Sequence, residues 1–363
     1  MQKTKQGTNK KFDIILVIIV LVLVFVGLII MYSTSAYNGQ NKFHDSFYYV
    51  KKQFFATALG LMGMFLVANI DFHIWVKYAV GIYLVALLFS LAVVFVGDEY
   101  NGSKRWLSLG PFSFQPSEFA KITILIFLSY LILKLYRRIS KAYIMGIVMC
   151  AILPMVGLVG MSNLSTAIII LGIAVVMIFI ATPKYMQFIG LGIGSIVFLG
   201  GFLALESYRM QRIAIWRNPE EYEKGYQTLQ GLYAIGSGGL FGKGLGNSIQ
   251  KLGFVPEAQN DMIFSIICEE LGFVGAVAIM GLFMMLIWRL YVIASSTRDL
   301  EGALIVCGAM AHMVIQVILN VAVVTNTIPN TGITLPFISY GGTSVMFLLI
   351  EIGLVLNVSS LGE

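Results

Sequence analysis

The sequence predicts an all-α protein that crosses a membrane about ten times, with both termini in the cytoplasm. Of its 363 residues, 58% are hydrophobic and only 12% are charged, whereas a soluble domain carries about 25% charged residues. So few charges cannot cover the surface of a soluble protein of this length. The apolar residues also form runs of roughly 20, the length that a helix needs to cross the hydrocarbon core. A soluble enzyme, a disordered tail and a secreted disulfide scaffold are therefore excluded.

The predicted spans are helices, because lipid offers no partner to unpaired backbone groups. They are residues 14–32, 53–70, 74–96, 117–135, 143–160, 164–181, 186–205, 262–288, 302–325 and 337–358. The first span follows a lysine-rich tail, as in a signal peptide, but its apolar run of about 18 residues exceeds a usual signal core. We expect an uncleaved anchor behind a cytoplasmic tail (1–13), and a single integral membrane domain over residues 1–363.

The distribution of basic residues predicts the orientation, because cytoplasmic loops are enriched in lysine and arginine. With the N-terminus inside, the tail and inner loops hold about twelve such residues. The short outer loops hold Lys42, Lys51, Lys52, Lys104 and Arg105. Residues 206–261 then form a long extracytoplasmic loop between helices 7 and 8, and long loops of this kind are usually functional. The net charge of +6 fits this topology, and no basic run with interleaved aromatic residues predicts nucleic-acid binding.

Cysteine and histidine spacing predicts neither a redox site nor a histidine metal site. No Cys-x-x-Cys or His-Glu-x-x-His pattern occurs. The glycine-rich run 236–244 lacks both the first glycine and the hydroxyl of a phosphate-binding loop. We expect a flexible loop with re-entrant backbone there.

The stretch 101–121 is an outer loop that runs into a predicted span. Glu118 and Lys121 are three residues apart, so they share one helix face near the membrane surface. They are either an interfacial ion pair, with Lys104 and Arg105 attracted to lipid headgroups, or part of a cationic clamp for a phosphorylated headgroup. The spacing alone does not choose between these two interpretations.

Two further segments place polar residues at the outer end of predicted spans. Asp261 closes the long loop and is either a helix N-cap or a functional carboxylate, since ionisable groups in membranes are costly. Asp261, Ser265 and Glu269 recur every four residues and predict one polar stripe. Residues 328–344 enter the last span through a Gly-Gly pair that suits close helix packing. Glu351 lies within that span, and the sequence does not reveal its partner.

Four stretches together resemble the SEDS family, the FtsW, RodA and SpoVE proteins of bacterial division, elongation and sporulation. They are NGSKRWLSLGPFSFQPSEFAK, GYQTLQGLYAIGSGGLFGKGLGNS, PEAQNDMIFSIICEELGFVG and TGITLPFISYGGTS. The resemblance covers nearly the whole chain, with the motifs in the same order. The run ITLPFISYGG and the short tails are more similar to the FtsW/SpoVE branch than to RodA.

The resemblance implies a multi-pass protein of the bacterial cytoplasmic membrane that polymerises glycan strands from lipid II at the outer face. Lipid II is a disaccharide-peptide on undecaprenyl pyrophosphate. The implied partner is a class B penicillin-binding protein, which cross-links the peptides. The family's essential loop aspartate corresponds to Asp261. The implied substrate-binding residues are Lys104, Arg105, Glu118, Lys121, Gln227, Glu257 and Gln259.

One position departs from the family pattern. Many relatives carry Gln-Pro-Asp-Leu-Gly-Thr before the sixth span, whereas this chain has Met-Ser-Asn-Leu-Ser-Thr. Asn163 replaces the aspartate, and it can form hydrogen bonds but carries no charge. We place Asn163 among the substrate-binding residues, although the loss of charge puts any role of that carboxylate in metal or diphosphate handling in doubt.

The chemistry expected of a lipid diphosphate donor suits these residues. Glycosidases use two carboxylates, but a diphosphate leaves as a stable anion, so one base is enough to take the proton from the attacking hydroxyl. Basic groups, with Mg²⁺ or Mn²⁺ as an optional supplement, would stabilise the departing charge. One direct displacement inverts the anomeric centre. A lipid II flippase and a non-catalytic scaffold for the penicillin-binding protein remain the alternatives.

Overall fold

The computed structural model describes residues 12–100, 103–109, 112–135, 142–182, 190, 192–194, 200–201 and 207–361. In this part of the chain, the α-helices are α1 (Ile14–Phe43), α2 (Tyr48–Asn69), α3 (Phe72–Lys77), α4 (Ala79–Val96), α5 (Pro116–Leu135), α6 (Ala142–Ser162), α7 (Leu164–Ala181), α8 (Ser207–Arg217), α9 (Tyr226–Gly238), α10 (Ile263–Ser296), α11 (Leu300–Val324) and α12 (Gly342–Leu361). Eight of the described helices are long and apolar enough to cross a membrane. The fold is therefore an all-α polytopic membrane protein.

Several predicted spans have different bounds in the structure. α1 continues to Phe43, well past the apolar run, and the polar residues Ser33, Thr34 and Ser35 that follow this run are buried against the rest of the protein. The predicted span 74–96 is divided into α3 and α4 at Tyr78. The predicted span 186–205 lies almost wholly outside the described residues.

The last predicted span begins later than expected, at Gly342 instead of residue 337. The apolar residues Leu335, Phe337 and Ile338 before it are buried in non-helical backbone. Irregular backbone at this depth is tolerated where it is covered by protein. The backbone N–H of Tyr340 donates to Gln259 O at 2.8 Å, which joins this segment to the long loop.

α10 is interrupted at Gly272, where φ is 67° and ψ is −168°. A Cβ atom there would collide with the backbone of Gly242 and Leu240, so glycine permits both the left-handed conformation and the close approach. The run 236–244 folds back onto this break, and Lys243 N donates to Glu269 O at 2.9 Å.

Two ion pairs fasten the long loop to the broken helix. Lys243 Nζ lies 2.6 Å from Glu269 Oε1, and Lys251 Nζ lies 2.6 Å from Glu270 Oε1. Ser33 of α1 also donates to Glu270 Oε2, at 2.7 Å. The loop is therefore packed against α1 and α10 rather than standing away from them.

Polar contacts identify which helix ends lie together. Asp13, the N-cap of α1, pairs with Arg289 near the end of α10 at 2.6 Å. At the same end, His73 of α3 lies 2.7 Å from Asp299, the N-cap of α11. Described residues of the connections 98–114, 218–261 and 326–341 line one cavity, so these connections lie together. Which end of the bundle faces the cytoplasm remains a prediction.

The loop after α4 forms a small antiparallel sheet in the order β1 (Asp98–Tyr100), β2 (Ser103–Leu109) and β3 (Phe112–Phe114). The sequence predicted only an outer loop there. Phe114 packs edge to face against Phe89 of α4, with ring centroids 5.5 Å apart. This contact holds the sheet, including the strand β2 that carries Arg105, against the bundle.

α5 is buried along most of its length, although it carries Glu118 and Lys121. It packs against α4, α7 and α11. α12 lies along α2, and its Gly353 allows this because a Cβ there would collide with the backbone of Met64. The first two turns of α5 therefore bring two charged side chains into the interior of the bundle.

Candidate active site

A cavity of about 1950 Å³ opens among the sheet, the long loop and the segment before α12. Its lining includes Arg105, Glu118, Lys121, Asn163, Gln227, Glu257, Gln259 and Asp261. The structure thus brings together every proposed site residue except Lys104. Lys104 is exposed, and its Nζ donates to Phe95 O at 3.2 Å.

Asp261 lies in a tight turn immediately before α10. Glu257 adopts φ 47°, and Asn260 N donates to Glu257 O at 2.9 Å, which closes the turn. Asn320 of α11 donates from Nδ2 to the backbone O of Asp261 at 2.9 Å and to Ile333 O at 2.7 Å. One amide of a membrane helix therefore fixes both the turn and the segment before α12.

The Asp261 carboxyl is partly exposed to the cavity and otherwise surrounded by protein. Burial raises the pKa of Asp261 to about 6, and the charge of Glu257 acts in the same direction. A hydrogen bond from Asn330 and the charge of Arg212 oppose this rise. Gln227 Nε2 lies 3.4 Å from Asp261 Oδ1. A carboxylate with this pKa is mostly ionised at neutral pH and is a stronger base than an exposed aspartate.

Glu118 and Lys121, which their spacing placed on one helix face, form an ion pair. Lys121 Nζ lies 3.0 Å from Glu118 Oε2, and the side chains are only 3% and 8% exposed. Lys121 also donates to Gln316 Oε1 at 3.2 Å. The pair lines the cavity from within the bundle, so it is too enclosed to act only as a contact to surface headgroups.

A polar chain continues from this pair into the bundle. His312 Nε2 lies 2.8 Å from Gln316 Oε1, and His312 Nδ1 lies 2.8 Å from Glu351 Oε2. Gln316 Nε2 donates to Thr334 O at 3.0 Å. Each ring nitrogen of His312 thus faces an oxygen acceptor. Glu351, whose partner the sequence did not reveal, is joined to Lys121 through two side chains of α11.

Three further site residues also have local structural roles. Asn163 is the N-cap of α7, and its Oδ1 accepts from Thr166 N at 3.2 Å. Arg105 Nε donates to Ser162 O at 3.1 Å. Gln259 Oε1 accepts from Asn38 Nδ2 at 3.1 Å. A neutral asparagine is sufficient for the capping bond, so the departure at position 163 preserves the helix start.

Asp261, Ser265 and Glu269 do not form the predicted polar stripe on one helix, because Asp261 lies outside α10. Asp261 precedes the helix and faces the cavity. Ser265 Oγ donates to Met262 O at 2.6 Å within its own turn, and Glu269 binds Lys243 of the long loop. The period of four assumed a helix that begins at Asp261, whereas α10 begins at Ile263.

Four residues that shape the site were not among the predicted site residues. Gln316 and Asn320 had a detectable signal, because with His312 they recur every four residues within the predicted span 302–325. Polar residues at this spacing share one helix face. Asn330 had no such signal because it lies in an irregular segment, and Arg212 had none because α8 lies in the long loop, outside the predicted spans.

The carboxylates of the site suit a metal ion only in combination with a substrate. Within the described ranges, no group of three His, Cys, Asp or Glu side chains is arranged to hold a metal. Asp261 and Glu257 are close enough for their charges to interact. Mg²⁺ is commonly held by one or two carboxylates together with substrate phosphates. The carboxylates of the site therefore fit Mg²⁺ or Mn²⁺ only when substrate phosphates supply further ligands.

Comparison with known families agrees with these motifs and their geometry. The FTSW_RODA_SPOVE family model, described as a cell cycle protein, matches residues 13–362. The chain belongs to this family. It is 40% identical to stage V sporulation protein E of Bacillus subtilis, over 97% of this chain and 98% of that protein. It is 34% identical to a probable peptidoglycan glycosyltransferase FtsW of Trichlorobacter lovleyi, over 96% and 93% of the two chains.

Solved structures share the fold over almost the entire length of the chain. One is a chain from a study of how a peptidoglycan synthase complex coordinates polymerisation and cross-linking, with a TM-score of 0.81, 28% identity, and coverage of 96% and 97%. Another is the rod shape determining protein RodA of Thermus thermophilus, with a TM-score of 0.71, 28% identity and 96% coverage of both chains. The likeness therefore extends from the motifs to the overall fold.

Proposed function

We propose that this FtsW/RodA/SpoVE family member is an inverting peptidoglycan glycosyltransferase that polymerises glycan strands from lipid II. The growing chain would pass from undecaprenyl pyrophosphate to a sugar hydroxyl of an acceptor lipid II, during cell division or sporulation. The observation that carries this proposal is Asp261, a carboxylate with a raised pKa that faces a large cavity. Relatives named as probable peptidoglycan glycosyltransferases support the reaction class.

Asp261 is the base in this reaction. The acceptor hydroxyl oxygen bonds to the anomeric carbon of the donor, and its proton passes to the Asp261 carboxylate. The bond between the anomeric carbon and the diphosphate oxygen breaks, and its electron pair leaves with the diphosphate. Asn320 and Gln227 hold the turn and the carboxylate in place, so little reorganisation is needed as the proton moves.

The basic groups of the cavity favour an anionic substrate. Arg105 and Lys121 line it, and positive charge fixed beforehand stabilises a phosphate that gains negative charge. A bound Mg²⁺ or Mn²⁺ would supply additional charge neutralisation to the diphosphate. Glu257, whose charge acts on Asp261, is the carboxylate that would hold it together with the substrate phosphates.

Apolar residues form another part of the same cavity wall. Phe55, Leu59 and Met346, from α2 and α12, are among its lining residues, and the Phe55 side chain is exposed. Such a wall suits a polyprenyl chain that stays in hydrocarbon while its diphosphate enters the polar part of the cavity. It supports entry of the lipid-linked substrate from the side.

The polymerisation of labelled lipid II tests this function. The purified full-length chain is incubated with the substrate in detergent, with and without a class B penicillin-binding protein as the proposed partner. We expect glycan polymer with the newly formed linkages inverted relative to the donor. A chain that yields no polymer in either condition but moves lipid II across vesicle membranes is a flippase. A chain that does neither, yet binds the partner, is a scaffold.

A further inference from the structure

α8 of the long loop is held against the segment that follows α11. Trp216 Nε1 donates to Asn326 O at 2.9 Å, and Arg212 Nη1 donates to Asn330 O at 3.2 Å. The two side chains are four residues apart and therefore lie on one face of α8. These bonds hold the helix in one position over the cavity, which Arg212 and Trp216 both line.

Arg212 and Asp261 are linked through Asn330. The backbone oxygen of Asn330 accepts from Arg212, while its side chain is hydrogen-bonded to Asp261. The positive charge of Arg212 also acts directly on the Asp261 carboxylate. The guanidinium is half-buried, so water screens its charge less than that of an exposed side chain. The structure therefore places a fixed cation beside the proposed base.

Two other basic side chains of the cavity are paired with carboxylates away from the base. Lys121 lies 3.0 Å from Glu118, and Lys51 lies 2.7 Å from Asp45. The charge of Arg212 acts on the Asp261 carboxylate. A planar guanidinium also presents its N–H donors as a fork that matches phosphate oxygens.

We propose that Arg212 binds the diphosphate of the lipid-linked donor and stabilises the charge that develops there as the glycosidic bond breaks. This inference rests on the proposed polymerase function. The attacking hydroxyl must lie within hydrogen-bond reach of Asp261 and on the opposite side of the anomeric carbon from the leaving oxygen. The leaving oxygen is then roughly 6–7 Å from the base, a distance that an arginine side chain next to Asp261 spans.

Equilibrium binding tests the role of Arg212 without turnover. Full-length Asp261→Asn protein is titrated in detergent with undecaprenyl pyrophosphate, and undecaprenyl monophosphate is the comparison ligand. Adding Arg212→Gln should weaken diphosphate binding by about tenfold to a hundredfold, the range for loss of a charge-assisted contact. Arg212→Lys should weaken diphosphate binding less than Arg212→Gln does. Binding of the monophosphate should change less than binding of the diphosphate.

Arg217→Gln is the matched control, because Arg217 ends the same helix but is exposed. It should bind the diphosphate like the parent protein. Glutamine at position 212 keeps an N–H donor for Asn330 O, and thermal unfolding of each variant verifies that the fold persists. Equal diphosphate affinity in the Arg212→Gln and Arg217→Gln proteins overturns the inference.

The outcomes of the two proposals are distinguishable. If the wild-type chain makes no polymer with its partner, the polymerase proposal fails, whatever the binding result. If the wild-type chain makes polymer but diphosphate binding is insensitive to Arg212, only the assignment of Arg212 fails. Reduced polymerisation by Arg212→Gln, together with weakened diphosphate binding, supports both.

Discussion

Replacement of His312 tests what stabilises the polar chain below the cavity. The His312 and Glu351 side chains are each 1% exposed, and Nδ1 lies 2.8 Å from Oε2. His312→Leu removes the ring and leaves the Glu351 carboxylate buried without that partner. Loss of one member of a buried pair costs about 3–5 kcal/mol. We expect the free energy of unfolding to fall by about this amount.

Replacement of both His312 and Glu351 by leucine distinguishes the loss of the whole pair from the loss of one partner. Leucine at both positions removes both polar groups, and such exchanges are often neutral or stabilising by about 1–4 kcal/mol. We expect the double variant to regain most of the stability lost by His312→Leu. His73→Leu is the control, because His73 lies 2.7 Å from Asp299 but both side chains are exposed, at 49% and 40%. An exposed pair contributes about 0–1 kcal/mol.

Thermal and denaturant unfolding of the purified full-length chain in mixed micelles measures these differences. We expect the wild type, His73→Leu and the double variant to have similar free energies of unfolding. The free energy of unfolding of His312→Leu should be clearly the lowest. A His312→Leu protein as stable as His73→Leu would show that the buried pair contributes nothing measurable. A double variant as unstable as His312→Leu would show that packing, rather than an unpaired carboxylate, causes the loss.

Three further predictions concern Asp261 and the break in α10. Because the pKa of Asp261 is about 6 and the base must be ionised, the polymerisation rate should rise with pH through about 6; a flat profile between pH 5 and 7 contradicts this. Because the pKa of Asp261 rises from 3.8 to about 6, the contribution of Asp261 to stability is fully present below pH 3.8 and is lost as the pH rises through 6. At pH 8, Asp261→Asn should therefore add about 3 kcal/mol to the free energy of unfolding; an unchanged unfolding free energy opposes this. Gly272→Ala should lower the free energy of unfolding by about 1–3 kcal/mol, because φ is positive at this position and the added Cβ would collide with the loop. The control Gly81→Ala, where a Cβ would meet open space, should not lower the melting temperature.

The helical fold could be predicted because each apolar run had the length and composition of a span. The irregular segments could not be predicted in the same way. Residues 335–338 are as apolar as a span, but they are buried by α1 and the long loop, so composition alone cannot distinguish a lipid-facing helix from a protein-covered turn. α1 shows the converse, since its polar outer half is helical through contacts with other elements.

The candidate site was predictable to different degrees. Glu118 and Lys121 were identifiable as a pair from helical spacing, and the resemblance pointed to Asp261. The burial that raises the pKa of Asp261 depends on the turn at Glu257 and on Asn320, which is 59 residues away in sequence. Arg212 reaches the site through contacts between two loop segments, which no periodic pattern encodes. Local spacing revealed the pairs, whereas long-range packing determined their environment.

Glycan synthesis by Asp261→Asn tests whether Asp261 is the base of the polymerisation. The wild-type chain, this variant and Glu220→Gln, which changes an exposed carboxylate of the same loop, are supplied with labelled lipid II and the class B penicillin-binding protein at pH 7.5. We expect polymer from the wild type and from Glu220→Gln, and a loss of at least about a hundredfold in rate for Asp261→Asn. Strand synthesis by a folded Asp261→Asn protein at the wild-type rate would contradict it.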